Sequence, residues 1–144
     1  MIVRDILKLK GNLLFTIGPE ARLVQAVSIM VRNDIGSLLV LHEGRLAGML
    51  TFREILAHTD RAGGTLGEAT VGEVMVPATV RGAPEDTLDH VRGIMTAHHV
   101  RYLPVLDGET LLGVISFHDV AKAALNEAAL ENRLLKRYIE NLPE

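Results

Sequence analysis

The feature that most constrains the fold of this chain is an internal repeat. Shifted by 65 positions, residues 23–55 align with residues 88–120 without a gap. Identical residues recur throughout this register: Leu23 with Leu88, Ile29 with Ile94, Met30 with Met95, Leu38 with Leu103, Val40 with Val105, Gly48 with Gly113, and Phe52 with Phe117. A unit of this size has too little interior to be stable alone. We therefore expect the two copies to pack against each other and to leave clefts between them, where small-molecule sites usually form.

Each copy is predicted to be a β-α-β-β-α unit, because helical spacing of apolar residues is followed by two short strand patterns. The first copy comprises an extended stretch over Leu13–Ile17, a helix from Leu23, strands over Ser37–Leu41 and Arg45–Leu50 around the turn Glu43-Gly44, and a helix from Phe52. The second comprises Thr79–Arg81, a helix from Leu88, strands over Tyr102–Leu106 and Thr110–Ile115 around Asp107-Gly108, and a helix from Phe117. Upstream, Val3–Leu7 matches Val71–Met75 with a small shift.

These patterns divide the chain into a first repeat over residues 1–60, a glycine-rich linker over 61–70, a second repeat over 71–125 and a helical extension over 126–144. The last helix is predicted to run from Phe117 to about Asn141, since Ala, Leu and Glu dominate this stretch. Its apolar stripe through Leu130, Leu134 and Tyr138 packs either on the module itself or on a second subunit, and we expect a homodimer.

Composition and charge exclude several classes of function. The formal net charge is −3, whereas nucleic-acid binding usually shows as a basic face, so no nucleic-acid partner is expected. The chain has no cysteine, which excludes disulfides and thiolate metal sites. No apolar run approaches the roughly 18 residues that span a bilayer, so we expect a cytoplasmic protein with no membrane contact.

A short motif closes the hairpin of each copy and has two interpretations. Gly48, Thr51 and Glu54 are matched by the second-copy residues Gly113, Ser116 and Asp119. A hydroxyl residue followed three positions later by an acid is a capping box, which satisfies free N–H groups at a helix start. The same helix start can bind phosphate, while the carboxylate accepts hydrogen bonds from the two ribose hydroxyls. Both interpretations stay open for Thr51 and Glu54.

Basic side chains accompany the motif of the second copy. Arg101 precedes a strand that opens toward the expected cleft, and His118 lies inside the motif at the position that Arg53 has in the first copy. Arg101 is therefore a candidate for neutralising a phosphate. The adjacent His98 and His99 point to different faces, so no metal site is expected. No nucleophile elbow or phosphate-binding glycine-rich loop is present, which argues against an enzyme.

The duplicated pattern resembles a pair of CBS domains, which together form a Bateman module. The resemblance rests on Gly36–Leu41 with Gly48–Glu54, on Val100–Asp107 with Gly113–Val120, and on Val74-Met75. It covers nearly the whole chain and is strongest to stand-alone two-domain proteins of bacteria and archaea. It implies an α/β fold with two small mixed sheets, each flanked by two helices and related by a pseudo-twofold axis.

The same resemblance implies a regulatory ligand, which would be AMP, ADP, ATP, NAD or S-adenosylmethionine, and no required cofactor. In such modules the motif hydroxyl and acid contact phosphate and ribose, which Ser116 and Asp119 match in full, whereas Glu54 departs from the usual Asp. Adenine contacts are then expected from Thr79, Val80 and Arg81, with Tyr102 and Pro104 opposite. The expected function is a ligand sensor that signals to an unidentified protein partner. The alternative is a ligand-independent dimeric scaffold or adaptor.

Overall fold

The computed structural model describes residues 1–11 and 14–142 of the chain. Its elements follow in chain order as α1 (Val3–Lys10), β1 (Thr16–Ile17), α2 (Leu23–Asn33), β2 (Ser37–His42), β3 (Arg45–Thr51), α3 (Phe52–Arg61), α4 (Val71–Val74), α5 (Leu88–His98), β4 (Tyr102–Asp107), β5 (Thr110–Ser116) and α6 (Phe117–Glu140). The fold is mixed α/β, as the sequence predicts. Leu13 and residues 143–144, which belong to the predicted first strand and the predicted extension, lie outside the described residues.

The two hairpins have the same architecture, and their two-residue turns lie at equivalent positions of the repeat. Strands β2 and β3 pair antiparallel around Glu43-Gly44, whose φ angles of 52° and 77° fit the tight turns that hairpins favour. Strands β4 and β5 pair with Asp107 opposite Thr110, so their turn is Gly108-Glu109 rather than the predicted Asp107-Gly108. The offset of 65 maps Glu43-Gly44 onto Gly108-Glu109, and both hairpins carry the same register shift, after Val40 and after Val105, so the prediction was one residue too early.

The sheets differ in their third strand. Strand β1 lies parallel to β2 and completes a three-stranded sheet in the first copy. In the second copy the extended segment predicted over Thr79–Arg81 does not pair with β4, and contact is made only at the next residue, where Gly82 forms a single parallel bridge to Val105. The Arg81 side chain donates from Nε to the Ala78 carbonyl oxygen at 2.8 Å, which holds this segment in a turn.

Each copy buries the first helix of the other copy. The core of the second copy, formed by α5, β4, β5 and the start of α6, includes Val3 and Ile6 of α1. The core of the first copy, formed by α2, β2, β3 and α3, includes Val71 and Val74 of α4. These four side chains are 0–8% exposed. Burial of an aliphatic side chain contributes about 1.5–3 kcal/mol, so the exchange binds the copies together strongly.

Backbone hydrogen bonds fix this exchange with matching geometry on both sides. Val3 N donates to the Asp86 carbonyl oxygen at 2.9 Å, and Val71 N donates to the Ala21 carbonyl oxygen at 2.8 Å. Arg4 and Gly72 make equivalent bonds one residue later, to Pro84 and Pro19 respectively. Because the donors are separated by 68 positions and the acceptors by 65, the pseudo-twofold relation of the sequence repeat is also the symmetry of the contacts.

A third apolar cluster joins the two sheets. Leu39, Met49 and Ala78 are buried there against partly buried side chains of the second hairpin, among them Tyr102 and Val114. On the β3 edge, Val76 exchanges backbone hydrogen bonds with Met49 at 2.8 and 2.9 Å. The two copies are thus held together both by the exchanged helices and by apolar contacts between the sheets.

Helix α6 is one continuous helix of 24 residues, as predicted. Val120 and Ala123 in its first turns are buried in the second core. Every described residue from Ala128 to Leu142 is exposed, so the apolar stripe does not pack back on the module. Within residues 1–11 and 14–142, the structure contains no helix that is both long and apolar enough to cross a membrane.

The helix exchange predicts that a cavity in α1 weakens the second copy. Ile6→Ala should lower the free energy of unfolding by about 3 kcal/mol, because it removes a buried side chain and leaves a cavity. Hydrogen exchange should show the loss of amide protection mainly over Tyr102–Ser116. Leu9→Ala is the matched control, since Leu9 lies in the same helix and is 76% exposed. Greater loss over Ser37–Thr51 would show that α1 supports the other core.

Candidate functional site

The main cleft lies between the two copies and has a volume of about 1070 Å³. It is lined by residues that the repeat makes equivalent: Asp34 and His99, Ile35 and Val100, Gly36 and Arg101, Ser37 and Tyr102, and Arg53 and His118. Lys10 of α1 and Ser116 at the start of α6 also line it. The cleft therefore straddles the pseudo-twofold axis, and five pairs of equivalent positions line it, with further lining residues from the second copy.

Two left-handed residues bring the chain into the cleft. Asp34 and His99 end α2 and α5 with φ angles of 51° and 53°. The next residue in each copy donates its N–H back into the helix, Ile35 to Met30 at 3.0 Å and Val100 to Met95 at 3.1 Å. This is the Schellman arrangement, which closes a helix and redirects the chain. It directs the chain into β2 and β4 along the cleft walls.

Tyr102 makes the two halves of the cleft different. The Tyr102 ring packs over Gly36, where a Cβ atom would collide with the tyrosine Oη and would lie 3.2 Å from the Phe52 ring. Burial raises the pKa of Tyr102 above its ordinary value. The equivalent of Tyr102 in the first copy is Ser37, which is buried and far smaller. An aromatic surface is thus available on the second-copy side of the cleft.

The motif of the second copy forms a capping box that also holds a lysine. Ser116 N donates to Asp119 Oδ2 at 2.8 Å, and Asp119 N donates to Ser116 Oγ at 3.0 Å. Lys10 Nζ donates to the same Oδ2 at 2.7 Å and to the Val114 carbonyl oxygen at 2.9 Å. The sequence analysis missed Lys10, because only the docking of α1 on the second core brings it to this motif.

Asp119 has an acidic pKa because its hydrogen bonds outweigh its burial. Burial alone would raise the pKa, but the Lys10 ammonium and the Ser116 backbone N–H both hydrogen-bond the carboxylate, and the positive charge of Lys10 adds to their effect. The pKa of Asp119 is therefore held below its ordinary value of 3.8. The carboxylate is charged at neutral pH and acts only as a hydrogen-bond acceptor.

The motif of the first copy forms a capping box in which the acid bonds its own hydroxyl. Thr51 N donates to Glu54 Oε1 at 3.0 Å, and the Thr51 hydroxyl donates to the same oxygen at 2.9 Å. Arg53 N donates to Thr51 Oγ1 at 3.2 Å. Among the described lining residues of the cleft are Arg53 and the adjacent Gly36, but neither Thr51 nor Glu54. The geometry here supports the capping interpretation.

The predicted site residues fall into two groups in space. Five line the cleft: Arg53, Arg101, Tyr102, Ser116 and His118. Asp119 contacts the cleft through Lys10. Of the residues expected at the adenine, only Tyr102 is among these five. Thr79 is exposed, Val80 packs against the second core, Arg81 donates to the Ala78 carbonyl, and Pro104 is buried in β4. The structure does not bring these four to the cleft lining.

The electrostatics of the cleft favour an anion. Lys10, Arg53 and Arg101 line it, and Asp34 is the one acidic side chain among the lining residues that the structure describes. This local excess of positive charge contrasts with the formal net charge of −3 for the whole chain. A cleft with apolar walls and cations of this kind suits an anionic ligand with a flat apolar part. In the described part of the chain, no three metal-binding side chains cluster closely enough to hold a metal ion.

Comparison with known proteins shows the family. The CBS domain family model matches residues 3–60 and 71–126. The chain is 35% identical over 115 residues to the CBS domain-containing protein YhcV of Bacillus subtilis, covering 79% of this chain and 81% of YhcV. The crystal structure of the CBS-domain protein ATU1752 from Agrobacterium tumefaciens superposes with a TM-score of 0.81 at 30% identity, covering 86% of this chain and 99% of that one. The chain belongs to the CBS domain family, as a tandem pair.

Two more distant structures share the fold and were solved with ligands. The CBS domain pair of MJ0100, in complex with 5′-methylthioadenosine and S-adenosyl-L-methionine, has a TM-score of 0.78 at 21% identity and covers 88% of this chain and 98% of its own. CBSX2 in complex with AMP has a TM-score of 0.74 at 21% identity, with the same coverage of both chains. At this identity the likeness shows the fold alone.

The contact between Lys10 and Asp119 predicts a pH-dependent coupling energy. A double-mutant cycle with Lys10→Met and Asp119→Asn should give about 0.5–1 kcal/mol at pH 7 by chemical denaturation. Because the folded-state pKa of Asp119 lies below the unfolded value, the stabilisation is complete above about pH 4 and is lost as the pH falls through the folded-state pKa.

The control for this cycle replaces Lys10→Met with Lys8→Met, which changes an exposed lysine in the same last turn of α1. That cycle should be additive at every pH. A Lys10–Asp119 coupling that is absent at pH 7, or that grows on acidification, would contradict the geometry.

Proposed function

We propose that this protein is a regulatory module that binds an adenine nucleotide or adenosyl compound in the cleft between its two CBS copies and signals to a protein partner. The observation that carries the proposal is the cleft itself, which joins Arg101 and Ser116 with the aromatic face of Tyr102. A guanidinium and a helix start suit phosphate, and an aromatic ring suits a base. The ligands of the CBS pairs MJ0100 and CBSX2 support an adenine compound.

We further propose that the cleft binds without catalysing a reaction. The Ser116 hydroxyl is engaged in helix capping, where its oxygen accepts the Asp119 N–H. Ser37, the other serine of the lining, is buried, with an exposure of 7%. A catalytic serine needs a base that can take its proton. His99 and His118 line the cleft, but the described hydrogen bonds pair neither serine with them, and Asp119 is bonded to the backbone and to Lys10.

Ligand binding predicts a thermal shift that depends on Arg101. At millimolar concentration, at least one of AMP, ADP, ATP, NAD and S-adenosylmethionine should raise the melting temperature, because a ligand at about 100 times its Kd stabilises the native state by about 2.7 kcal/mol. Arg101→Ala and Asp119→Ala should reduce the shift. Arg92→Ala is the matched control, since Arg92 lies on the exposed face of α5 and pairs with Asp89.

A second candidate function is a scaffold or adaptor that needs no ligand. The capping boxes at Thr51 and Ser116 favour it, because both motif acids have structural partners without any ligand. On this hypothesis Asp119→Ala costs about 1 kcal/mol of stability and leaves partner binding intact. The absence of a thermal shift with every compound of the panel would support it and contradict the sensor.

We propose that the chain is a homodimer joined through α6. Its exposed stripe comprises six side chains with exposures of 48–65%: Leu130, Leu134, Leu135, Tyr138, Ile139 and Leu142. Leu130 and Tyr138 lie at equal spacing on either side of Leu134, and so do Glu131 and Arg137. In an antiparallel two-fold pairing centred on Leu134, each Glu131 would therefore lie opposite an Arg137 of the second copy. The repeats 1–60 and 71–125, the linker 61–70 and the extension 126–144 are proposed as the units of this assembly.

The dimer is tested by introducing and by reversing charges on α6. Leu134→Glu should convert the dimer to a monomer in sedimentation equilibrium, because it places a charge in the apolar seam. Glu131→Arg and Arg137→Glu should each weaken association by creating like-charge neighbours, and the double variant should restore it. A wild-type protein that stays monomeric at high micromolar concentration, or a double variant weaker than both single ones, would contradict this pairing.

A further inference from the structure

Helix α1 delivers a lysine to only one of the two motifs. Val3 and Ile6 anchor α1 in the second core, which places Lys10 in its last turn beside Asp119 and along the cleft. The equivalent helix in the first copy, α4, ends at Val74 after a single turn. Glu54, the first-copy acid, hydrogen-bonds the Thr51 backbone and hydroxyl. The two motifs therefore differ in charge as well as in the length of their acids.

Lys10 and Asp119 each keep a group that can form a further hydrogen bond. Its ammonium has three N–H donors, and two of them are engaged by Asp119 Oδ2 and the Val114 carbonyl oxygen. Both described contacts of the Asp119 side chain fall on Oδ2, so neither uses Oδ1. A ribose hydroxyl can thus donate to Oδ1 while Lys10 keeps its place. The third N–H of Lys10 can then donate to an anionic group of the same ligand.

We propose that Lys10 is a specificity-determining residue of the second-copy site, which selects adenine nucleotides that carry phosphate over adenosyl compounds that do not. This inference rests on the proposed function and deepens it by naming the charge class of the ligand. With Lys10 paired to Asp119, Arg53 and Arg101 against Asp34 leave the cleft with a positive excess, so phosphate groups are attracted. S-adenosylmethionine has one carboxylate but also an ammonium and a sulfonium, so its net charge is positive and it is attracted less than ATP, while the uncharged 5′-methylthioadenosine gains nothing from the cations.

The experiment compares ATP with 5′-methylthioadenosine by isothermal titration calorimetry on the full chain. The wild-type protein should bind ATP at least about tenfold more tightly, which corresponds to about 1.4 kcal/mol. Lys10→Met should weaken ATP binding about tenfold and change 5′-methylthioadenosine binding less than about twofold. Lys8→Met is the matched control and should change neither, because Lys8 lies in the same turn of α1 but outside the cleft lining.

A charge-conserving substitution distinguishes a role of Lys10 in ligand selection from a role in the packing of α1. Lys10→Arg keeps the positive charge and should retain most of the preference for ATP, whereas a loss of α1 packing would weaken both ligands equally in Lys10→Met. Equal weakening of both ligands, or a Lys10→Met protein with the wild-type preference, would overturn the inference.

The two proposals fail in different ways. If 5′-methylthioadenosine or S-adenosylmethionine binds the wild-type protein as tightly as ATP does, the role of Lys10 is wrong and the adenine sensor stands. If neither 5′-methylthioadenosine nor any compound of the thermal-shift panel binds the wild-type protein, the proposed function falls, and the specificity assigned to Lys10 falls with it.

Discussion

The exchange of first helices between the two copies is the interaction on which the rest of the structure depends. Neither core is complete without the other copy, because Val3 and Ile6 fill one and Val71 and Val74 fill the other. Equivalent backbone hydrogen bonds hold α1 and α4 in place. The copies consequently meet at a fixed angle, with the left-handed ends of α2 and α5 facing each other. The cleft between them is a result of core packing and needs no separate stabilisation.

The sequence predicted the elements that depend on local patterns and missed those that depend on long-range contacts. Both hairpins and the length of α6 followed from periodicity and turn residues, and they are confirmed. The turn at Gly108-Glu109 was predicted one residue too early, because the Asp107-Gly108 pair is a strong local turn signal that conflicts with the repeat offset. The contact between Lys10 and Asp119 was not predicted, since it requires α1 to pack on the other copy. The repeat alignment by itself assigns α1 to the first copy.

The ambiguity between a cap and a binding site has a physical origin. A helix start must satisfy its own N–H groups, and the residues that do so are those that recognise phosphate and ribose. In the first copy, Thr51 and Glu54 use these groups on each other. In the second copy the capping bonds and Lys10 share one carboxylate oxygen of Asp119, so recognition of a ligand need not break the cap. The difference lies in how the bonds are distributed over the carboxylate.

Helix α6 connects the cleft to the exposed stripe as a single rigid element. Its first residues include His118 in the cleft lining, and its last turns carry Leu134 and Tyr138 on the surface, within a length of about 36 Å. Val120 and Ala123 anchor it in the second core, and Glu127 pairs with the Met1 amino group at 2.9 Å, so the described contacts hold its first half and leave its end unsupported. A small tilt at the cleft therefore becomes a larger displacement at the stripe. A ligand can shift that orientation only by as much as its affinity differs between the two positions of α6. Under the proposed function, coupling between the cleft and the stripe would therefore depend on ligand groups that contact the start of α6, where a phosphate would bind.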